Sequence, residues 1–320
     1  MLSQSFDLLT VGLTTLDIAM HQVDALPPID TGVIAETIQL SPAGTAGGAA
    51  MVAAKLGIKV ALASAVGADL QGLAVRHGLE EAGVDTQFLT VDPSYPTSTT
   101  VLPVRSCGQR STYHMVGASM FYRLDDKLRA ALPSVRAVHW GAVNMPGVVA
   151  AAPDFLKTAR SVGAFVTCDL VSPRPGTLDD LERILPHVDL FMPSLAEVRK
   201  ITGSSDLVAA ARRFIGMGAG GCIIKLGEQG SILIDKDREL RVPAIPITPV
   251  DTTTCGDSFC AGFHAARLRG FEDEKCLRFA TATAAQVAMG IGTLGKLGDF
   301  EKTRSLAEGM GNESWKGQVS

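Results

Sequence analysis

Aromatic residues make up only 5% of the chain, and no run of about 18 apolar residues occurs, so no helix is expected to span a membrane. Cysteine is sparse too. Cys107, Cys168, Cys222, Cys255, Cys260 and Cys276 form no C-x-x-C pair and do not stand with histidine at zinc spacing. Reduced thiols of a cytoplasmic protein are therefore expected. Basic excess is absent: 29 Lys and Arg face 33 Asp and Glu, a net charge of −4 that offers no footprint for nucleic acid. Residues 1–7 lack a basic segment followed by a long apolar stretch, so no secretory signal is expected there. The P-loop pattern G-x-x-x-x-G-K-[ST] is missing, and so are H-R-D and D-F-G. Those absences remove the P-loop and protein-kinase readings.

What is present is a chain of 320 residues with 46% hydrophobic content, enough for one large domain or two modest ones. Short apolar runs at 7–11, 60–66, 137–143, 165–170, 190–192 and 222–226 read as buried strands. Helix-period stretches lie between them at 46–56, 70–82, 152–162, 178–185, 195–201 and 207–217. Such alternation predicts an α/β fold, a mostly parallel sheet flanked by helices, with ligands beyond the carboxyl ends of the strands. Residues 14–39 and 98–122 break the pattern and read as β-rich excursions, with a hairpin turn at 107–110. Paired, they would make a small sheet, usable as a lid over a cleft or as a dimer interface. The expected division is a core of 1–13, 40–97 and 123–300, a β lid of 14–39 and 98–122, and a polar, peripheral tail of 301–320.

The stretch 250–263 carries the chemistry. Val250-Asp251-Thr252-Thr253-Thr254-Cys255-Gly256-Asp257 is small and turn-favouring, and it runs into an apolar helical pattern beginning near Asp257. The first turn of a helix offers unpaired N–H groups and positive dipole, so this turn suits an anion. A carboxylate there is placed to take a proton beside that anion, or it is simply the cap of the helix. Local physics leaves both open.

The same residues resemble the signature of the ribokinase-like (PfkB) carbohydrate kinases, D-T-x-G-A-G-D followed by a helix containing A-G, here Ala261-Gly262. The resemblance implies that Asp257 is the catalytic base, ionised at neutral pH with an ordinary pKa. It also implies that the backbone N–H groups of Cys255, Gly256 and Asp257 form an anion hole. Thr254 stands in place of the usual Gly and Cys255 in place of Ala. A β-branched residue resists positive φ, so a differently shaped turn is expected at Thr254.

Further matches run from about residue 7 to 298. Val11-Gly12 followed by Asp17 resembles the first strand and the Asp that binds sugar hydroxyls. Residues 42–57, ending in Leu56-Gly57, resemble the G-G-N-x-x-N…L-G segment and place Gly44, Thr45 and Gly48 at the substrate, where Thr45 and Gly48 replace Asn. Gly67-Ala68-Asp69-Leu70-Gln71-Gly72 matches a G-x-D-x-x-G turn read as architectural. Arg110 with Gly117-Ala118-Ser119 resembles the stretch returning from the lid. Ser194-Leu195-Ala196-Glu197 resembles N-x-x-E, which implies that Glu197 holds Mg²⁺ through water; an exposed helical Glu is the alternative. Gly227 and Gly230 match the L-G-x-x-G turn beside ATP. Lys225 either approaches phosphate or sits on the surface, and Thr281 takes the place of an adenine-side Asn. Asp251 and the Thr253 carbonyl match a K⁺ position of the family.

Other signals are weaker. Gly216-Met217-Gly218-Ala219-Gly220-Gly221 follows a helix and precedes a strand, the reverse of a dinucleotide-binding turn. His264, two turns beyond Asp257, reads as packing. Cys255 at a helix terminus is a candidate for a lowered thiol pKa, which a nucleophilic-cysteine hydrolase would need together with a histidine. Asp169 reads as polar cleft lining. The expectation is an ATP- and Mg²⁺-dependent kinase acting on a hydroxyl of a small sugar or sugar acid, with a homodimer through the lid implied by the resemblance. A nucleoside acceptor, or a catalytically silent sugar or nucleotide sensor on the same fold, are the alternatives.

Overall fold

The structure is a computed structural model that describes residues 5–25 and 27–310. The expectations for residues 1–4 and for 311–320 lie outside the described residues. The chain begins with β1 (Phe6–Gly12), β2 (Thr15–His21) and β3 (Thr37–Ala43), then α1 (Gly47–Lys55) and β4 (Val60–Val66). Next come α2 (Leu70–Glu81), β5 (Asp85–Val91), β6 (Thr99–Val104) and β7 (Tyr113–Met115). Three helix–strand units follow: α3 (Asp126–Ala131) and β8 (Val135–Gly141), α4 (Ala152–Ser161) and β9 (Phe165–Cys168), α5 (Thr177–Ile184) and β10 (Leu190–Phe191). α6 (Leu195–Thr202) and α7 (Leu207–Gly216) lead to β11 (Gly221–Lys225), β12 (Ser231–Ile234) and β13 (Glu239–Val242). The last elements are α8 (Cys255–Arg267), α9 (Asp273–Ala288) and α10 (Phe300–Glu308).

Nine strands form one sheet in the order β13-β12-β11-β10-β9-β8-β1-β4-β5, parallel from β5 to β11 and antiparallel at β12 and β13. Its strands are covered on both faces, which is why they read as continuous apolar runs rather than alternations. In β1, Leu8 packs into one core with α1, α8 and α9, while Leu9 and Val11 pack into the other with Trp140 and Phe155. β4 matches the expected 60–66, and β8 starts and ends two residues before the expected 137–143.

β5, β12 and β13 were not among the expected strands. β12 and β13 have only four residues each, and β13 is an edge strand with Glu239 and Arg241 among them, so apolar periodicity does not reveal it. The described residues 301–310 also differ from the expected peripheral tail. α10 packs on α9 with Ala307 buried, and Gln286 Nε2 donates to the buried Thr303 hydroxyl at 2.9 Å.

β3, β2, β6 and β7 form a second sheet in that order, built from the two excursions. β3 continues to Ala43, past the boundary expected at residue 39. The turn between β6 and β7 closes with Gly108 N donating to Arg105 O and Arg105 N to Gln109 O, and Gly108 takes φ +78°. Pairing registers set the two faces of this sheet. Ser41, Asp17, Thr100 and His114 lie side by side on one face, and Leu40, Ile18, Val101 and Tyr113 on the other.

The turn at 67–72 is architectural, as expected. Asp69 caps α2 by accepting from Gly72 N at 2.8 Å, and a β carbon on Gly72 would stand 2.3 Å from Gly67 O. The glycine-rich 216–221 stretch joins α7 to β11, a helix-to-strand turn as expected. Among the described residues no helix is long and apolar enough to cross a membrane.

Candidate active site

The carboxyl ends of β1, β9, β10 and β11 and the polar face of the small sheet enclose a cavity of about 1270 Å³. A pocket for one small molecule occupies about 300–1,000 Å³, so this one has room for two ligands. Leu13, Asp169, Ser194 and Lys225 reach it from the large sheet, and Asp17 and Thr100 from the small one.

α8 opens onto the cavity. Its N-cap is Thr254, at φ +57°, and no side chain caps it; Ser258 N makes the first intrahelical bond to Thr254 O at 2.8 Å. Asp257 is therefore not the cap but a member of the first turn. The expected resistance to positive φ is overcome here: Thr254 holds a left-handed backbone despite its β-branched side chain. Such a conformation costs about 1–3 kcal/mol and persists only where the surroundings fix it. Cys255, Gly256 and Asp257 all line the cavity.

Asp257 departs from the ordinary acidity expected of it. Burial pushes its pKa up to about 7, helped by the Asp169, Asp17 and Glu197 carboxylates and opposed by Lys225. Cys255 departs in the opposite sense from its expectation. Burial pushes its thiol up to about 12, with Asp251 and Asp257 adding to the effect against Arg110, so it is not a thiolate at neutral pH.

Lys225 is not a surface residue. Its side chain is 11% exposed, and Nζ donates to Asp169 Oδ2 at 2.5 Å. Burial alone would lower the ammonium pKa, but Asp169, Cys260 and Glu197 hold it above the ordinary lysine range. A β carbon on Gly256 would stand 3.3 Å from Lys225 Nζ, which puts the ammonium directly against the first turn of α8. Asp169, buried at 1% exposure, is fixed in turn by Leu170 N, which donates to its Oδ1 at 2.8 Å.

Glu197 is not an exposed helical residue either. It closes a capping box at the start of α6: Ser194 N and Ser194 Oγ both donate to Glu197 Oε2 at 2.7 Å. Burial raises its pKa, as does Asp169, against Lys225 and the Ser194 hydrogen bonds.

On the opposite wall, Asp17 Oδ1 accepts from Thr15 Oγ1 at 2.7 Å. Burial raises the Asp17 pKa, offset in part by Thr15, Thr100 and Arg110. Arg110 Nη1 donates to Thr252 Oγ1 at 2.7 Å, so the β6–β7 turn touches the segment that leads into α8.

Gly44, Thr45, Gly227, Gly230 and Thr281 line the cavity as well. The Thr45 hydroxyl is committed to Gly141 O at 2.6 Å, and Thr281 Oγ1 is buried without a partner. Gly48 lies behind the wall, packed against Thr254 and Asp257. Asp251 is buried below the cavity; its Oδ1 accepts from Thr253 N and Oγ1, and its Oδ2 from Gly292 N. Thr253 itself reaches the cavity.

His264 packs in the core, as expected, and shares the Thr167 hydroxyl with His139. Sequence reasoning missed the grip of Asp169 on Lys225, because 56 residues separate the two. It also missed His114, which lines the cavity without belonging to any motif, and gave no role to Arg174, which lines it too.

A two-ligand cavity at the carboxyl edge of a largely parallel sheet, with an uncapped helix and a carboxylate at its centre, describes a group-transfer enzyme. The model of the pfkB family carbohydrate kinases matches residues 6–297, and the chain belongs to that family, a family of phosphotransferases. A nucleoside kinase of Methanothermobacter thermautotrophicus is 31% identical over 298 residues, 91% of this chain and 92% of that protein. Among solved structures, Arabidopsis thaliana ribokinase complexed with ribose and ATP aligns with a TM-score of 0.81 at 24% identity, over 95% of this chain and 99% of that one. An E. coli protein assigned as ribokinase II, in complex with ATP and Mg²⁺, aligns at 0.82 and 22% identity, with the same coverage. These last two likenesses are of fold.

Proposed function

We propose that the protein transfers the γ-phosphoryl group of ATP to a hydroxyl of a small sugar or sugar acid, with Asp257 as general base. The observation that carries this reading is the Asp257 carboxylate in the uncapped first turn of α8, facing a cavity with room for two ligands. A pKa near 7 suits a base that must take a proton and release it again at neutral pH. Asp257 takes the hydroxyl proton as the acceptor oxygen bonds to phosphorus and the bond to the ADP oxygen breaks. The N–H groups of Cys255, Gly256 and Asp257, entered through the Thr254 turn, face the negative oxygens of the transferring group without reorganisation.

Asp17 orients the acceptor, supported by Arg110, Gly44 and Thr45, with Gly48 behind them. Lys225, Gly227, Gly230 and Thr281 form the ATP side. The small sheet acts as a lid that keeps water from the reaction.

The residues fit a water-mediated Mg²⁺. No group of three or more His, Cys, Asp or Glu side chains among the described residues makes a metal cage, and Glu197 engages Ser194 through Oε2 alone. Mg²⁺ bound with ATP would neutralise phosphate charge. The fit to K⁺ at Asp251 and Thr253 is poorer, because three donors already engage both Asp251 oxygens.

A nucleoside acceptor is the second reading. It is favoured by the 31% identity to a nucleoside kinase and by the apolar wall of Leu102, Val116, Met120 and Leu170 at the acceptor end. ADP release from ATP and Mg²⁺, measured against separate pools of sugars, sugar acids and nucleosides, tests both readings. Acceptor-dependent ADP from one pool names the class, and none from any pool refutes the kinase reading.

A homodimer through the lid is the assembly we propose. Support comes from the outward face of the small sheet, where Ile38, Leu40, Tyr113 and Met115 are exposed. Wild type should sediment as a dimer and Leu40→Asp as a monomer; a monomeric wild type refutes the assembly. A cytoplasmic setting accords with six unpaired cysteines.

A further inference from the structure

We propose that Lys225 is a catalytic residue acting on the transferring phosphoryl group, and that Asp169 is the positioning residue that aims it. The inference rests on the kinase reading above and deepens it, since ATP binding alone does not require either residue to act during transfer.

Three observations converge on one point in the cavity. First, the Lys225 ammonium stands against Gly256, the second residue of a helix whose opening N–H groups no side chain caps. Any side chain at residue 256 would meet that ammonium at 3.3 Å, so the cation and the helix N-terminus face the same small volume. Second, the ammonium is held from behind. Asp169 Oδ2 takes one of its N–H groups, and Cys260 Sγ lies at 3.9 Å, a weak contact for a second. An ammonium has three N–H groups, which leaves a donor for a ligand at the cavity wall. Third, Asp169 cannot turn away, because Leu170 N holds its other oxygen and the residue is buried.

A buried ion pair gains little over well-packed apolar side chains of the same volume. This pair therefore contributes little to stability for its cost, and its position explains it better. Asp169 keeps the ammonium charged and fixed while the cavity is empty. When the phosphoryl oxygens gather charge between donor and acceptor, the same ammonium donates to them without leaving its partner. No proton moves from Lys225: the acceptor proton goes to Asp257, the acceptor oxygen bonds to phosphorus, and ADP leaves with the electron pair of the broken bond.

The test measures kcat and both KM values for Lys225→Met, Asp169→Asn and the double variant, in full-length protein with the acceptor pool that supports wild-type turnover. Lys225→Met should lower kcat by about 10²–10³-fold, the usual loss for one donor to a developing oxyanion, and leave the acceptor KM within about threefold. Asp169→Asn should lower kcat less, and the double variant should be no slower than Lys225→Met, because the two residues act as one unit. If Lys225→Met leaves a buried carboxylate that unfolds the chain, the double variant carries no unpaired charge, and its kcat decides. Near-wild-type kcat in the double variant, with only a raised ATP KM, overturns the proposal and leaves the kinase reading intact. Independent, multiplying losses in the two single variants overturn the positioning role of Asp169. A wild-type protein that transfers to no acceptor overturns both readings together.

Discussion

Gly48 and Thr254 are fitted to each other: a β carbon on Gly48 would stand 3.0 Å from Thr254 Cγ2 and 3.3 Å from Asp257 Oδ2. α1 can pass the start of α8 at this distance because residue 48 has no side chain, and the methyl of Thr254 takes up that room. Two of the departures from the family pattern, more than 200 residues apart in the chain, are one local arrangement. Gly48→Ala should destabilise the protein by about 1–3 kcal/mol, the usual range for overpacking, and slow transfer by displacing Asp257. Adding Thr254→Gly should restore much of the loss, as judged by urea unfolding and ADP release. Equal damage in the single and double variants would show that the two side chains do not share this space.

Asp257→Asn should fold and lose about 10²–10⁴-fold in transfer. Its effect on stability has a definite sign. The folded-state pKa is raised from 3.8 to about 7, so the folded protein binds the extra proton, and the stability gained at low pH is lost as pH rises through about 7. The variant lacks this loss. Its Tm relative to wild type should increase between pH 4 and pH 7 and level off above, and a flat difference across that range would place the carboxyl in a more ordinary environment.

His139 and His264 should produce the opposite slope. Burial lowers the pKa of His139 to about 4 and takes that of His264 well below its usual value, and the hydroxyl of Thr167 lies between them at 2.9 and 2.7 Å. Unfolded histidines take up protons near pH 6.5 and these do not, so their contribution to stability is lost as pH falls from about 6.5 toward 4. Replacing His264 with Gln should make the acid limb of a thermal-denaturation profile shallower than that of wild type.

The turn at the tip of β6 and β7 is joined to the approach to α8. Beyond the Arg110–Thr252 hydrogen bond, a β carbon on Gly108 would stand 3.0 Å from Pro249 O, so backbone meets backbone there. Arg110→Ala should raise the acceptor KM by up to about tenfold, the range of one modest hydrogen bond, with the ATP KM unchanged. A change in the ATP KM alone would assign Arg110 to the other ligand.

Much of this was legible in the sequence, and the limits are physical. β4 was read to the residue because every position in Val60–Val66 is buried, so no polar face interrupts the run. The turn into α8 was legible because Gly256 and Asp257 adjoin an apolar helix. Lys225 was ambiguous because the carboxylate that holds it lies just past the end of another strand. Glu197 was ambiguous because a capping box and an exposed helical face have the same local spacing. The acidity of Asp257 was misjudged because it depends first on burial and then on Asp169, Asp17 and Glu197, three carboxylates brought near by folding alone.

The cavity draws its two walls from different sheets, and in the small one successive residues of a strand point to opposite faces. Thr100 and His114 can therefore be exchanged on the cavity face while Ile18, Val101 and Tyr113 on the other face stay as they are. If the small sheet binds the acceptor, as proposed, acceptor preference is a replaceable part, open to drift or to redesign by grafting alternate positions of its strands.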